Sequence, residues 1–118
     1  MARRDLSSNT PYVTVNTAAT GTLSPVAPLF PNATLRLTLT GSLTLNGPTG
    51  AADGQSMTVE LIQDATGGRV LTLGTGFALG TDITGVTLTT TAGKRDFLGL
   101  RYNTTTARWY IVAFTRGF

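Results

Sequence analysis

The stretch TLRLTLTGSLTLN, residues 34–46, alternates leucine with polar residues. Leu35, Leu37 and Leu39 fall on one face, and Thr34, Arg36, Thr38 and Thr40 fall on the other. A period of two is the mark of a half-buried strand. Gly41-Ser42 predicts a bend or bulge, after which Leu43 and Leu45 resume the stripe. A helix would need apolar residues three and four apart, and no segment of the chain offers that spacing convincingly.

The alternation recurs downstream. SMTVELIQD (56–64) turns Met57, Val59 and Leu61 inward and Thr58 and Glu60 outward. RVLTLG (69–74) puts Leu71 and Leu73 on one face, and VTLTTTAG (86–93) reads as a strand with Val86 and Leu88 inward. RDFLGLRYN (95–103) and RWYIVAFTRGF (108–118) follow, joined hairpin-like through Asn103 to Ala107. In the last strand Trp109, Ile111 and Ala113 share one face, and Tyr110, Val112 and Phe114 share the other. Apolar residues on both faces predict burial on both sides. Turn-rich runs separate these segments, NGPTGAADG (46–54) and GTGFALGTDITG (74–85). The pattern predicts an all-β chain, an antiparallel, jelly-roll-like β-sandwich over residues 34–118.

Residues 1–33 read differently. Pro11, Pro25, Pro28 and Pro31 exclude a helix and a central strand. YVTVN (12–16) alternates well enough for a short strand. The segment is expected to be an extended N-terminal arm that wraps its own domain or lies on a neighbour. Arg3 and Arg4 can pair with acidic groups of a partner, and Tyr12, Val13 and Val15 can add a strand to a neighbouring sheet edge.

Composition narrows the function. The chain has 118 residues, of which 41% are hydrophobic, so one core can be buried. Charged residues make up 13%, against a usual share of about 25%. Threonine, with 24 residues, fills the gap and suits pleated, half-buried surfaces. The net charge is +3, but the eight arginines and Lys94 are scattered, which argues against a nucleic-acid stripe. There is no cysteine and no histidine, so thiolate and imidazole chemistry are excluded. No apolar run is long enough for a membrane-spanning helix. Arg3-Arg4 is followed by DLSSNTPYV where a signal peptide would need an apolar core, so the chain is not expected to be secreted by that route.

QDATGGRVLTLGTGF (63–77) invites a phosphate-loop reading because glycines crowd around Arg69. Thr75 stands where the loop lysine would be needed, and no helix follows to offer its N-terminus. The run is better read as a turn. Gly67 and Gly68 supply positive φ, the Asp64 side chain bonds the backbone two residues on, and Arg69 pairs with Asp64 or Glu60. The six acids, Asp5, Asp53, Glu60, Asp64, Asp82 and Asp96, show no spacing that forces a catalytic pair or a calcium loop. Neither an enzyme nor a cofactor or metal is expected.

The run LTLTGSLTLN, then DGQSMTVELIQDATGGRVLTLGTGF, then RYNTTTARWY resembles a β-rich structural module of tailed-bacteriophage virions. The resemblance rests on Asp53, Gly54, Gln55, Gln63, Asp64, Thr66, Gly67, Gly68, Arg69, Gly74, Gly76, Phe77, Trp109 and Tyr110. It covers roughly residues 35 to 114 and implies fold-defining residues, not an active site. It further implies a virion location, made in the host cytoplasm, with the major capsid protein or another virion protein as partner. The short arm favours a capsid decoration (cement) protein, a homotrimer whose interface includes Trp109, Tyr110, Ile111, Val112 and Phe114. The alternative is a tail-associated or fibre module binding host surface glycan, or a head–tail connector component.

Overall fold

The computed structural model describes residues 12–28, 30 and 32–118. Seven strands follow in order: β1 Tyr12–Leu23, β2 Asn32–Leu45, β3 Ser56–Gln63, β4 Leu71–Leu73, β5 Phe77–Ala78, β6 Arg95–Asn103 and β7 Arg108–Thr115. There is no helix among the described residues, and so none long and apolar enough to cross a membrane. All seven strands belong to one mixed sheet, ordered β1-β2-β3-β6-β7-β5, with β4 also paired to β2. The sheet curls into a half-barrel, compatible with a β-sandwich-like all-β class.

β2 is the centre of that sheet. Its stripe Ala33, Leu35, Leu37, Leu39, Leu43 and Leu45 is buried, as the alternation predicts. β1 runs parallel along one side of it. β3 and then β4 run parallel along the other, end to end. Thr14, Leu35 and Val59 therefore stack in one column, and Leu23, Leu45 and Leu73 in another. Three successive coils of chain lie in register, each made of a strand, a bend and a second short strand. Gly41 sits at the bend of β2, and β1 slips register at the matching place, between Asn16 and Gly21. Backbone bonds continue the coils past the strands: Asn46 N–H donates to Leu23 O (2.9 Å), Gly74 N–H to Leu45 O (2.7 Å) and Ala27 N–H to Thr49 O (2.7 Å).

The strand direction corrects the antiparallel, jelly-roll expectation. Alternating patterns usually signal antiparallel strands, because parallel sheets tend to be covered on both faces. Here the curl covers only the inner face, so parallel strands alternate as antiparallel ones do. The antiparallel part is confined to β3–β6 and the β6–β7 hairpin.

Two further expectations change. Residues 86–93 form no strand, although Leu88 is buried. Side chains take the backbone groups a ladder would use: Thr89 N–H donates to Asp96 Oδ2 (2.7 Å), and Thr89 O accepts from Gln63 Nε2 (2.9 Å). Within one copy of the chain, β7 is covered on one side. Trp109 and Ile111 are buried in the chain's own core, while Tyr110 and Val112 are exposed. The register of β6 with β7 slips between Gly99 and Leu100, so the inward positions shift by one. Phe114 then packs against the core and Ala113 faces out.

The core follows from this geometry. Trp109 is 1% exposed, its ring lies 5.1 Å from that of Tyr102, and its Nε1 donates to Pro48 O (2.8 Å). Truncating a central leucine removes contacts on every side. Leu37→Ala is expected to cost about 2–5 kcal/mol, whereas Thr38→Ala, on the outer face, should change stability by about 0.5 kcal/mol or less. Urea unfolding of the two variants checks this.

Candidate functional site

The glycine-rich run is a turn with no free anion cradle. Asp64 Oδ1 accepts from Thr66 N–H (3.1 Å) and Gly67 N–H (3.0 Å), as the side chain's reach predicts. Arg69 completes the turn through Nε to Oδ1 (3.2 Å) and NH2 to Oδ2 (2.9 Å). Gly68 N–H is taken by Thr90 O (2.8 Å). Gly67 has φ +74° and packs so closely that an added Cβ would lie 2.7 Å from Thr90 O. Gln63, buried beneath, accepts Arg69 N–H through Oε1 and donates through Nε2 to Arg69 O and Thr89 O, each at 2.9 Å. The whole motif is spent holding the 64–70 and 86–93 segments together.

The two buried acids are also structural. Glu60 projects from the outer face of β3 yet is 3% exposed, clamped by Arg36 Nε (2.9 Å) and Arg95 NH1 (2.8 Å). Asp96 is buried and accepts from Thr89 N–H and Gly117 N–H. Among the described residues no group of three or more His, Cys, Asp or Glu could hold a metal ion. Each buried side-chain nitrogen or oxygen described has a partner.

A concave surface lies at the other end of β6 and β7. A groove of 490 Å³ is lined by Asp53, Arg101, Tyr102, Asn103, Tyr110 and Val112. Its walls are rigid. Gly54 N–H donates to Tyr102 O and Tyr102 N–H to Gln55 O, both at 2.9 Å. Buried Gln55 donates through Nε2 to Pro28 O and Phe30 O and accepts Ala52 N–H. Asp53 Oδ1 accepts Thr104 N–H (3.0 Å), and Asn103 Oδ1 caps the hairpin turn at Thr105 and Thr106. Tyr110 donates its hydroxyl to Thr106 Oγ1 (3.1 Å) and is 36% exposed. An aromatic face, a guanidinium, a carboxylate and an amide thus converge on one concave surface. That set can hold a ligand rich in hydroxyl groups against an apolar ring face.

The expected contact residues are scattered. Arg3 and Arg4 lie outside the described residues. Tyr12, Val13 and Val15 sit on β1, the edge strand of the sheet, and are 40%, 42% and 54% exposed. Of the expected subunit interface, Trp109 and Ile111 belong to the core, and Phe114 leans on it. Only Tyr110 and Val112 remain on the surface, and both line the groove. The sequence reading did not find Arg101 and Asn103 as groove residues. Their signal, a polar pair flanking Tyr102 beside a D-G-Q turn, acquires meaning only when that turn is known to zip onto β6.

The β-architecture, with its buried acids committed to packing, is that of a structural module. The family described as "Putative phage tail fibre C-terminal domain" matches residues 9–107, and the chain belongs to that family. No curated protein and no solved structure matches the chain. It is therefore a phage structural protein of a tail-fibre family. A tail location fits that family better than the capsid surface expected from the short arm.

The Asp64–Arg69 pair gives a pH test. The hydrogen bond from Arg69, helped by Gly67 N–H, holds the Asp64 carboxyl below its usual range. A lowered folded-state pKa adds stability above the unfolded-state value and loses it as pH falls through the folded one. Wild type should therefore exceed Asp64→Asn in melting temperature at neutral pH. The gap should close below the usual carboxylate range, as thermal melts across pH 2–7 would register.

Proposed function

We propose that this chain is a non-catalytic tail-fibre domain of a tailed phage, and that the groove beside Tyr110 contacts saccharide on the host surface. The observation that carries the reading is the family match over residues 9–107. The groove supports it chemically. Sugars offer hydroxyls for Arg101, Asp53 and Asn103, and a patch of C–H groups for the exposed Tyr110 ring. A fixed surface suits this task, because little ordering is needed on binding. The zipped Asp53–Gln55 turn and the capped hairpin provide it.

The test is competition for adsorption. Purified protein added before the phage should lower adsorption to host cells several-fold, and Tyr110→Ala or Arg101→Ala should lose most of that effect while melting as wild type does. Gold-labelled antibody should decorate the tail. Label on the head shell, or adsorption unchanged at saturating protein, contradicts the reading.

A further inference from the structure

Charge is unevenly placed around the groove beside Tyr110. Arg101 and Tyr110 are direct partners in the β6–β7 register. The flanking pairs, Leu100 with Ile111 and Tyr102 with Trp109, turn toward the core, so Arg101 and Tyr110 both stand on the outer face. Side chains opposed in this way have Cβ atoms about 4.5–5.5 Å apart, which makes the guanidinium and the phenol ring neighbours. The ring is tethered at its far end by the bond from its hydroxyl to Thr106.

The described residues form three ion pairs, Arg36 and Arg95 with Glu60 and Arg69 with Asp64, and Arg101 is in none of them. Its side chain lies exposed on the groove wall. Arg108, the next outward position of β7 before Tyr110, spends NH1 on Phe77 O (3.2 Å) and adds a second positive charge to this face. Asp53 is the one carboxylate among the residues lining the groove, and its Oδ1 already accepts Thr104 N–H. Two guanidiniums thus stand against one carboxylate, and complementarity asks for a ligand that brings a negative charge to Arg101.

We propose that the groove takes an acidic saccharide, a chain containing hexuronic acid, with a sugar ring on Tyr110 and its carboxylate on Arg101. This ligand is a narrower case of the saccharide proposed above and rests on that reading. A planar guanidinium donates two parallel N–H bonds to a carboxylate. In a hexuronic acid the carboxylate projects from the edge of the pyranose, one bond beyond the ring. A pyranose laid against the tyrosine ring therefore carries its carboxylate to the neighbouring guanidinium, and hydroxyls elsewhere on the sugar can donate to Asp53. Asp53 also limits the kind of anion. It repels a bare or multiply charged anion, which has no ring contact to offset the cost, whereas one carboxylate flanked by hydroxyls satisfies both charged groups.

Titrating isotopically labelled protein with trigalacturonate and with its fully methyl-esterified form tests this, because the two share one sugar skeleton and differ in charge. The acid should shift the amide signals of Arg101, Asn103 and Tyr110 and bind about tenfold or more tightly than the ester. Arg101→Gln should bring the acid down to the level of the ester with the rest of the spectrum unchanged, and Arg101→Lys should restore only part of the difference, since an ammonium lacks the planar fork. Added salt should weaken the acid and leave the ester as it was. Inorganic phosphate at the same concentration as the acid should leave the shifts in place. Equal binding of acid and ester, or a preference that survives Arg101→Gln, overturns the acidic ligand and leaves a groove for neutral saccharide. Displacement by phosphate overturns it as well, by making Arg101 a site for any anion. No shift at the groove with either sugar contradicts the acidic ligand and the saccharide reading together.

Discussion

The leucine stripe of β2 is the constraint from which the structure follows. A strand whose inner face is entirely leucine and alanine must be covered along its length, and β2 is too long to be covered by one straight neighbour. The chain meets this by bending at Gly41 and laying β1 on one flank and β3 followed by β4 on the other. Apolar columns then run through the coils, with Leu23, Leu45 and Leu73 stacked in one of them. Curling also explains how threonine can be so abundant. The outer face of each coil faces water or a partner, and threonine holds a pleated surface there without adding charge.

Polar groups are used to fix the coils relative to one another. Gln55 ties the turn before β3 to the first coil at Pro28 and Phe30, and Gln63 ties the end of β3 to the segments at Arg69 and Thr89. Glu60 bridges β2 and β6 through Arg36 and Arg95. Breaking one partner of such a buried group leaves the other unpaired, which costs more than the bond itself returns. Gln55 and Gln63 thus fix the segments at 28–30, 69 and 89, and the turn that Gln55 holds forms one wall of the groove.

Local features were legible in the sequence and pairing direction was not. The leucine alternation, the bend at Gly41-Ser42, the Asn103–Ala107 hairpin turn and the Asp64–Arg69 turn all depend on neighbours a few residues away. Parallel stacking depends on where a coil returns, which no short window records. For the same reason Glu60 read as an outward residue: it does face out, but Arg36 and Arg95 close over it once three strands are aligned. Trp109 read as an interface residue because β7 is apolar on both faces, yet the partner of its ring nitrogen, Pro48, lies far away in sequence. The tail-fibre family was approached as a phage virion module from the Q-D-A-T-G-G-R run, a turn whose residues are each fixed by a bond. Nothing local in the sequence distinguishes a tail family from a head one.

The stacking direction is the claim on which the groove, the edge position of β1 and the buried acids all rest. Backbone nuclear Overhauser contacts on isotopically labelled protein read it directly. Parallel coils predict contacts linking Leu35 with Val59 and, from the same strand, Leu45 with Leu73. Contacts in the opposite sense, with the start of β2 meeting the end of β3, would contradict the account.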